Sequence, residues 1–324
     1  MRPRVGLLSA CAFALLAATL AATVTLAAPG LLPAARGGDD LPVHAVCYGP
    51  HRDGQRPDGP APSTAELRED LHLLAAHWKL VRVYGSRGPA ETMLEIIRDD
   101  SLDLKVMLGA WVSPADTAGN RAEIEAAARL ATAYPELVAA VCVGNETQVS
   151  WSAHRCAPEV LLAALRLAQA SVQVPVTTAD DFNFWNKPES AAVAAEVDFI
   201  TLHAHPLWNG RQLEEALPWL RAQLDEVAAL HPDCTVVIGE TGWATRRHTE
   251  GEQATLMKGR LGEAEQKLFH DEVRAWAAEA RVTVFFFEAF DENWKGGAHP
   301  DEVEKHWGLW RADRTPKAAL APAD

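Results

Sequence analysis

Leu137-Val138-Ala139-Ala140-Val141-Cys142-Val143-Gly144-Asn145-Glu146 is a run of seven apolar residues that ends on a glycine, an amide and a carboxylate. A strand with no apolar and polar alternation is buried on both faces, as strands of a parallel sheet are. Similar β-type runs occupy 43–48, 80–84, 104–111, 137–143, 174–178, 197–203, 235–239 and 282–290. Segments of helical period separate them. Ser63-Thr64-Ala65-Glu66 is a capping box opening a helix whose Leu67, Leu71, Leu74 and Trp78 share a face. Further helical stretches fall at 91–98, 121–134, 158–170, 212–230 and 262–280. Eight strands, each followed by a helical stretch, predict an α/β fold, the (β/α)8 TIM barrel, for which about 250 residues is typical. No linker or composition break interrupts the pattern, so one domain is expected. A doubly wound open sheet is the other fold considered, but Gly49-Pro50 after the first strand is no dinucleotide glycine fingerprint.

The chain of 324 residues carries 44 acidic side chains against 30 Lys and Arg, a formal net charge of −14. This balance excludes a protein built to neutralise phosphate backbones, so no nucleic-acid partner is expected. The content of 48% hydrophobic residues is that of a folded globular chain. Eleven Trp stand against three Tyr, an excess of flat apolar faces that serves either a bulky core or a cleft. Arg2 and Arg4 precede an uncharged run over 5–28 that is rich in Leu and Ala and closed by prolines. Residues 1–35 therefore read as a signal peptide or an N-terminal membrane anchor, and 36–324 as the catalytic domain. Either way the protein is exported, to a periplasmic or extracellular location. Cys47, Cys142, Cys156 and Cys234 show no metal-ligand spacing and are expected as small buried hydrophobes, although an oxidising compartment permits disulfides.

Chemistry in such barrels sits where strands end. The fourth strand runs into Asn145-Glu146 and the seventh into Gly239-Glu240-Thr241-Gly242-Trp243, so a carboxylate stands at each of two positions across the mouth. Glycoside hydrolysis needs such a pair, one group to protonate the leaving oxygen and one to meet the anomeric carbon. With these residues in view the chain resembles the family-17 glycoside hydrolases, the β-1,3-glucanase family of the barrel clan with catalytic Glu on strands 4 and 7. The resemblance covers about 43–317. It rests on Val46-Cys47-Tyr48-Gly49-Pro50, Val81-Arg82-Val83-Tyr84-Gly85, the two Glu motifs, Phe290-Asp291-Glu292-Asn293-Trp294-Lys295 and Trp307-Gly308-Leu309.

The resemblance implies that Glu146 is the acid/base and Glu240 the nucleophile, with Glu292 and Lys295 in supporting positions and anomeric configuration retained. Retention predicts carboxyl groups about 5 to 5.5 Å apart. Asn145 is expected to donate to the sugar 2-hydroxyl, and Tyr48, Arg82 and Tyr84 to position the carboxylates. Lys295 or nearby donors would keep Glu240 ionised. His205 stands before Pro206 where the family usually has a Tyr. Trp243 and Trp294 are the preferred sugar contacts among six indoles near strand ends, the others being Trp111, Trp151, Trp185 and Trp208. Trp78, Trp219 and Trp276 fall in helical segments and are assigned to packing. Asp180, Asp181 and Glu288 are further hydroxyl-binding candidates, with a helix cap or a salt bridge as the alternative for each.

The expected protein is thus a monomeric retaining β-1,3-glucan hydrolase acting on neutral β-glucan, with no metal and no organic cofactor. A transglycosylase using the same two Glu is the alternative. Two other readings are a metal-dependent hydrolase, with His203 and His205 joined by His299, His306 or Asp180, and a glucan-binding protein without catalysis.

Overall fold

The computed structural model describes residues 41–320. The expectations for 1–35, including an anchor over 5–28, lie outside the described residues, and no described helix is long and apolar enough to cross a membrane. Eight strands close in sequence order into a parallel barrel. They are β1 His44–Cys47, β2 Leu80–Arg82, β3 Lys105–Ala110, β4 Val138–Asn145, β5 Val176–Asp181, β6 Ile200–His203, β7 Val236–Thr241 and β8 Val284–Phe286. Each expected run holds or overlaps one strand. β4, β5 and β7 continue two or three residues past the apolar runs, because polar residues at the mouth still pair with the neighbouring strand.

Around the barrel lie α1 Thr64–Ala75, α2 Ala90–Asp99, α3 Thr117–Ala133, α4 Pro158–Ser171, α5 Phe182–Trp185, α6 Ala191–Ala194, α7 Leu213–Leu230, α8 Gly251–Leu256 and α9 Glu263–Ala280. The capping box of α1 forms as expected: the Glu66 amide donates to Ser63 Oγ at 3.3 Å, and the Ser63 amide to Glu66 Oε2 at 2.7 Å. Strict alternation fails at two places. β5 and β6 are joined only by the two four-residue helices α5 and α6, where Pro188 and the aromatic Phe182-Asn183-Phe184-Trp185 replace a helical period. After β8 a single 3-10 turn, Val303–Lys305, stands in place of a helix.

The two-residue period of the strands separates two cores. Ala45, Cys47, Leu80, Met107, Cys142, Ala179, Val237 and Phe285 fill the barrel interior. Val46, Val81, Val106, Val141, Ile238 and Phe286 face outward onto the helices. Cys47, Cys142 and Cys156 are buried thiols, Cys234 is half-buried, and all four are free.

The seam between β1 and β8 is reinforced from outside. Trp310 pairs with Phe290, and its ring lies 5.4 Å from that of Trp78. Arg314 then grips the buried Asp70 of α1 with two hydrogen bonds, of 2.8 and 2.7 Å. Arg52 and the Tyr48 hydroxyl reach the same carboxylate, at 2.8 and 3.0 Å. Three residues beyond Arg314, the buried Lys317 ammonium pairs with Asp291 at 2.7 Å. The last described residues are therefore bound into the fold by charge as well as by packing.

Candidate active site

The strands that carry the two carboxylates do not end straight. β4 shifts register between Cys142 and Asn145, and β7 between Ile238 and Thr241. Such irregularities re-aim side chains at barrel rims. Gly239 is required within this bend, because a Cβ there would collide with the Thr201 side chain. Glu146 and Glu240 consequently converge, each with a carboxylate oxygen within 4.8 Å of the other and of a ring nitrogen of His203.

Glu240 is 5% exposed and surrounded by donors. Its Oε1 accepts from Arg82 Nη1 at 2.7 Å and from the Tyr84 hydroxyl at 2.8 Å. Its Oε2 faces only His205 Nε2, at 3.5 Å. Burial opposes ionisation here, but His205 and the Arg82 guanidinium outweigh it and hold the carboxyl below the usual range. Arg82, charged at every relevant pH, is the constant member of the two. Its other fork atom, Nη2, donates to Asn145 Oδ1 at 2.6 Å, so one guanidinium ties the residue before Glu146 to Glu240.

Glu146 is held in the opposite state. Burial, and after it the negative charge of Glu240, pushes its carboxyl up to about 8. His203 lies between the two acids, with Nδ1 3.1 Å from Glu146 Oε1 and Nε2 3.0 Å from Arg82 Nη1. Arginine can only donate, so Nε2 is the acceptor and Nδ1 carries the hydrogen that Glu146 Oε1 receives. Burial lowers the His203 ring to about 3, which agrees with this neutral tautomer. For His205, burial is overcome by its hydrogen bond to Glu240 and by the charges of Glu240 and Glu146, and its basicity rises.

A second buried charge cluster lies on the β8 side. Lys295 Nζ sits 2.5 Å from Glu288 Oε2 and 2.8 Å from Glu292 Oε2. Burial raises the Glu288 carboxyl well above the carboxylate range, whereas for Glu292 the charge of Lys295 and donors from His51 and Trp294 outweigh burial. Trp294 donates Nε1–H to Glu292 at 2.9 Å and keeps 39% of its surface exposed. It borders an open pocket of about 320 Å³ lined by Gly54, Gln55, Arg56, Pro60 and Asn293.

The structure thus brings together Arg82, Tyr84, Asn145, Glu146, His205 and Glu240, and places Glu288, Glu292, Trp294 and Lys295 beside one another. Three expectations are corrected. Tyr48 is fully buried with its hydroxyl on Asp70, because Cys47 takes the inward position and the next residue must point outward. Trp243 is 1% exposed, bonded to the Arg260 carbonyl and packed on Phe269, so it anchors a loop rather than offering a face to sugar. Glu288 is fully buried on Lys295 and has no open side for a hydroxyl. Of the two sources named for keeping Glu240 ionised, Lys295 is taken up by Glu288 and Glu292, and the nearby donors are Arg82 and Tyr84. Of the remaining mouth indoles, Trp185 is buried, while Trp151 is 60% exposed.

The ligands named for a metal centre do not gather. His299 lies against His248 with ring centres 4.6 Å apart, His306 bonds the Pro300 carbonyl, and Asp180 accepts backbone amides. Sequence reasoning saw His203 only as such a ligand. Its signal was nevertheless present, since the two-residue spacing of His203 and His205 directs both rings to the mouth. Glu304, on the 3-10 turn, was not foreseen. Burial raises its carboxyl, and it lies within electrostatic reach of Lys295, His205 and Glu240.

Known proteins share this arrangement of strands. A glucan 1,3-beta-glucosidase of Arthroderma benhamiae is 29% identical over 279 residues, covering 81% of this chain and 86% of that protein. An endo-laminarinase from Formosa superposes with a TM-score of 0.75 at 26% identity, covering 85% of both chains. A family-17 beta-1,3-glucanosyltransferase from Rhizomucor miehei, 23% identical with a TM-score of 0.70 over 86% of this chain and 96% of that one, shares the fold. The profile of the BtgE/BtgC glycoside hydrolase domain matches residues 45–308. The resemblance to family-17 enzymes drawn from the strand-end motifs is borne out, and the chain belongs to the BtgE/BtgC glycoside hydrolase domain family.

Proposed function

We propose that the protein is a retaining β-1,3-glucan hydrolase that works by double displacement, with Glu146 as acid/base and Glu240 as nucleophile. The observation that carries this reading is the pair of carboxylates at the ends of β4 and β7, within 4.8 Å and held in opposite protonation states. An inverting enzyme would need about 6.5 to 9.5 Å between its carboxyl groups, to admit water. The names of the Arthroderma and Formosa proteins support the β-1,3-glucan substrate.

In the first step an oxygen of Glu240 attacks the anomeric carbon while the Glu146 proton passes to the departing glycosidic oxygen. Oε2 is the nucleophilic atom, since Oε1 is held by Arg82 and Tyr84 whereas Oε2 meets only the longer contact of His205, at 3.5 Å. The proton sits on Glu146 Oε2, since Oε1 receives the His203 hydrogen. Formation of the glycosyl ester removes the charge of Glu240, and Glu146 becomes a base at neutral pH. It then takes a proton from water, whose oxygen attacks the anomeric carbon and frees Glu240. His203 acts as a positioning residue, and Asn145 donates to the 2-hydroxyl, a reading supported by the Arg82 hydrogen bond that its Oδ1 accepts. Trp294 and its pocket offer a face and a recess for a further glucosyl unit.

The same reading includes export, with residues 1–35 as leader or anchor and 36–324 as a monomeric catalytic domain. The test is to incubate purified protein with laminarin oligosaccharides, size the products, and follow the first-formed anomer by NMR. Shorter products with β configuration are expected. Only longer chains would mean transfer, first-formed α anomers would overturn retention, and no change would remove the substrate.

A further inference from the structure

Glu146 is presented by an unusual piece of backbone. Gly144 has φ of 79° and Glu146 itself φ of 51°, in the left-handed region that a side-chain-bearing residue keeps only where its surroundings over-determine it. Upstream, the Glu146 amide donates to the Ala179 carbonyl of β5 at 2.8 Å. Downstream, the chain turns so that two successive amides meet one side chain. Gln148 N–H donates to Asp180 Oδ2 at 2.7 Å and Val149 N–H to Asp180 Oδ1 at 3.2 Å. Asp181 N–H adds a third bond, to Oδ1 at 2.9 Å.

Asp180 is fully buried, and no ion pair with it is found among the described residues. A buried carboxylate without a counter-ion is costly unless hydrogen bonds satisfy it, and here backbone amides are the means. Ala179 lies in the barrel interior, so Asp180 points to the other face of β5, away from any sugar in the mouth. The side chain therefore reaches the site through the turn that carries Glu146, and Glu146 itself only by charge.

We propose that Asp180 is a positioning residue for acid catalysis, clamping residues 146–149 so that Glu146 aims its carboxyl at the leaving oxygen. The inference rests on Glu146 being the acid/base. An Asn at 180 offers one acceptor oxygen and an NH2 group to three donors, so at least one amide would meet another donor and the turn would relax. Displacement of a reacting group by about 1 Å can cost on the order of 100-fold in rate.

A loss of acid catalysis is felt only where the leaving oxygen needs a proton. The test compares kcat/KM, which reports the first step, on laminaritetraose and on 2,4-dinitrophenyl β-laminaribioside, whose phenolate leaves unprotonated. For D180N the expected result is a loss of about 30- to 100-fold on the oligosaccharide and less than about threefold on the activated substrate. D180S, smaller and uncharged, gives the same ratio should D180N fail to accumulate. Equal losses on the two substrates, or none on either, would overturn the proposal. E146Q is run beside them. If E146Q splits the substrates and the Asp180 variants do not, the positioning role alone is refuted; if E146Q does not split them, the acid assignment on which it rests is refuted.

Discussion

Replacing Glu240 with Gln removes a charge from the site while keeping its volume. One oxygen of each acid lies within 4.8 Å of the other. Two like charges so spaced repel by about 3.5 kcal/mol at an effective dielectric of about 20. Since about 1.36 kcal/mol shifts an ionisation midpoint by one pH unit, the repulsion corresponds to roughly 2.5 pH units. A negative neighbour raises the midpoint of an acid, so its removal must lower it. In E240Q the Glu146 midpoint should fall from about 8 to between roughly 5 and 6, the remaining elevation being what burial leaves after the opposing pull of His205 and Arg82. The assay is a 13C NMR titration of protein labelled at glutamate Cδ, with E146Q identifying the resonance. A midpoint within about half a pH unit of the wild type would refute the coupling, and with it the switch of Glu146 from acid to base when the glycosyl ester forms.

In the free enzyme the protonated form of Glu146 is the active one, so kcat/KM on laminarin should decline as pH rises through about 8 and hold at lower pH until Glu240 is protonated, below the ordinary carboxylate range. A plateau extending to pH 10 would contradict the assignment. Y48F removes one donor from the buried Asp70, for a loss of about 1 kcal/mol in urea unfolding with KM unchanged. W294A should raise KM for laminarin oligosaccharides by about three- to tenfold, whereas W243F should lower unfolding stability and leave KM alone, since its indole is buried on Phe269. A raised KM in W243F as well as in W294A would restore the sequence-based expectation that both indoles meet sugar.

Glu146 and Glu240 were legible in the sequence because an ionisable residue closing an uncharged strand has no structural use that an apolar residue would not serve better. Arg82 was legible as a charge inside an apolar run. Tyr48 and Trp243 were misread because a strand-end residue changes face with each step of one, and the composition of the strand does not say which face it takes. Cys47 lies inside the barrel, and Tyr48 is therefore outside it. The weak helix content between β5 and β6 was missed because apolar residues at 182–185 satisfy either a helix or a packed loop. His203 shows a different limit. Its role depends on a tautomer set by Arg82, 121 residues distant in sequence, and no local pattern records such a partner.

The grip of Arg314 on Asp70 joins residues 244 positions apart. At a synthesis rate of about 5 to 20 residues per second, the second partner follows the first by on the order of 10 to 50 seconds. Throughout that interval the first helix has its carboxylate in place and no Arg314 to receive. The barrel's seam can be locked only after all eight strands have been made, since Arg314 follows β8. Until Arg314 arrives, Asp70 has only Arg52 and Tyr48 to answer its charge, so the grip is a late tie that closes over a barrel whose strands already exist.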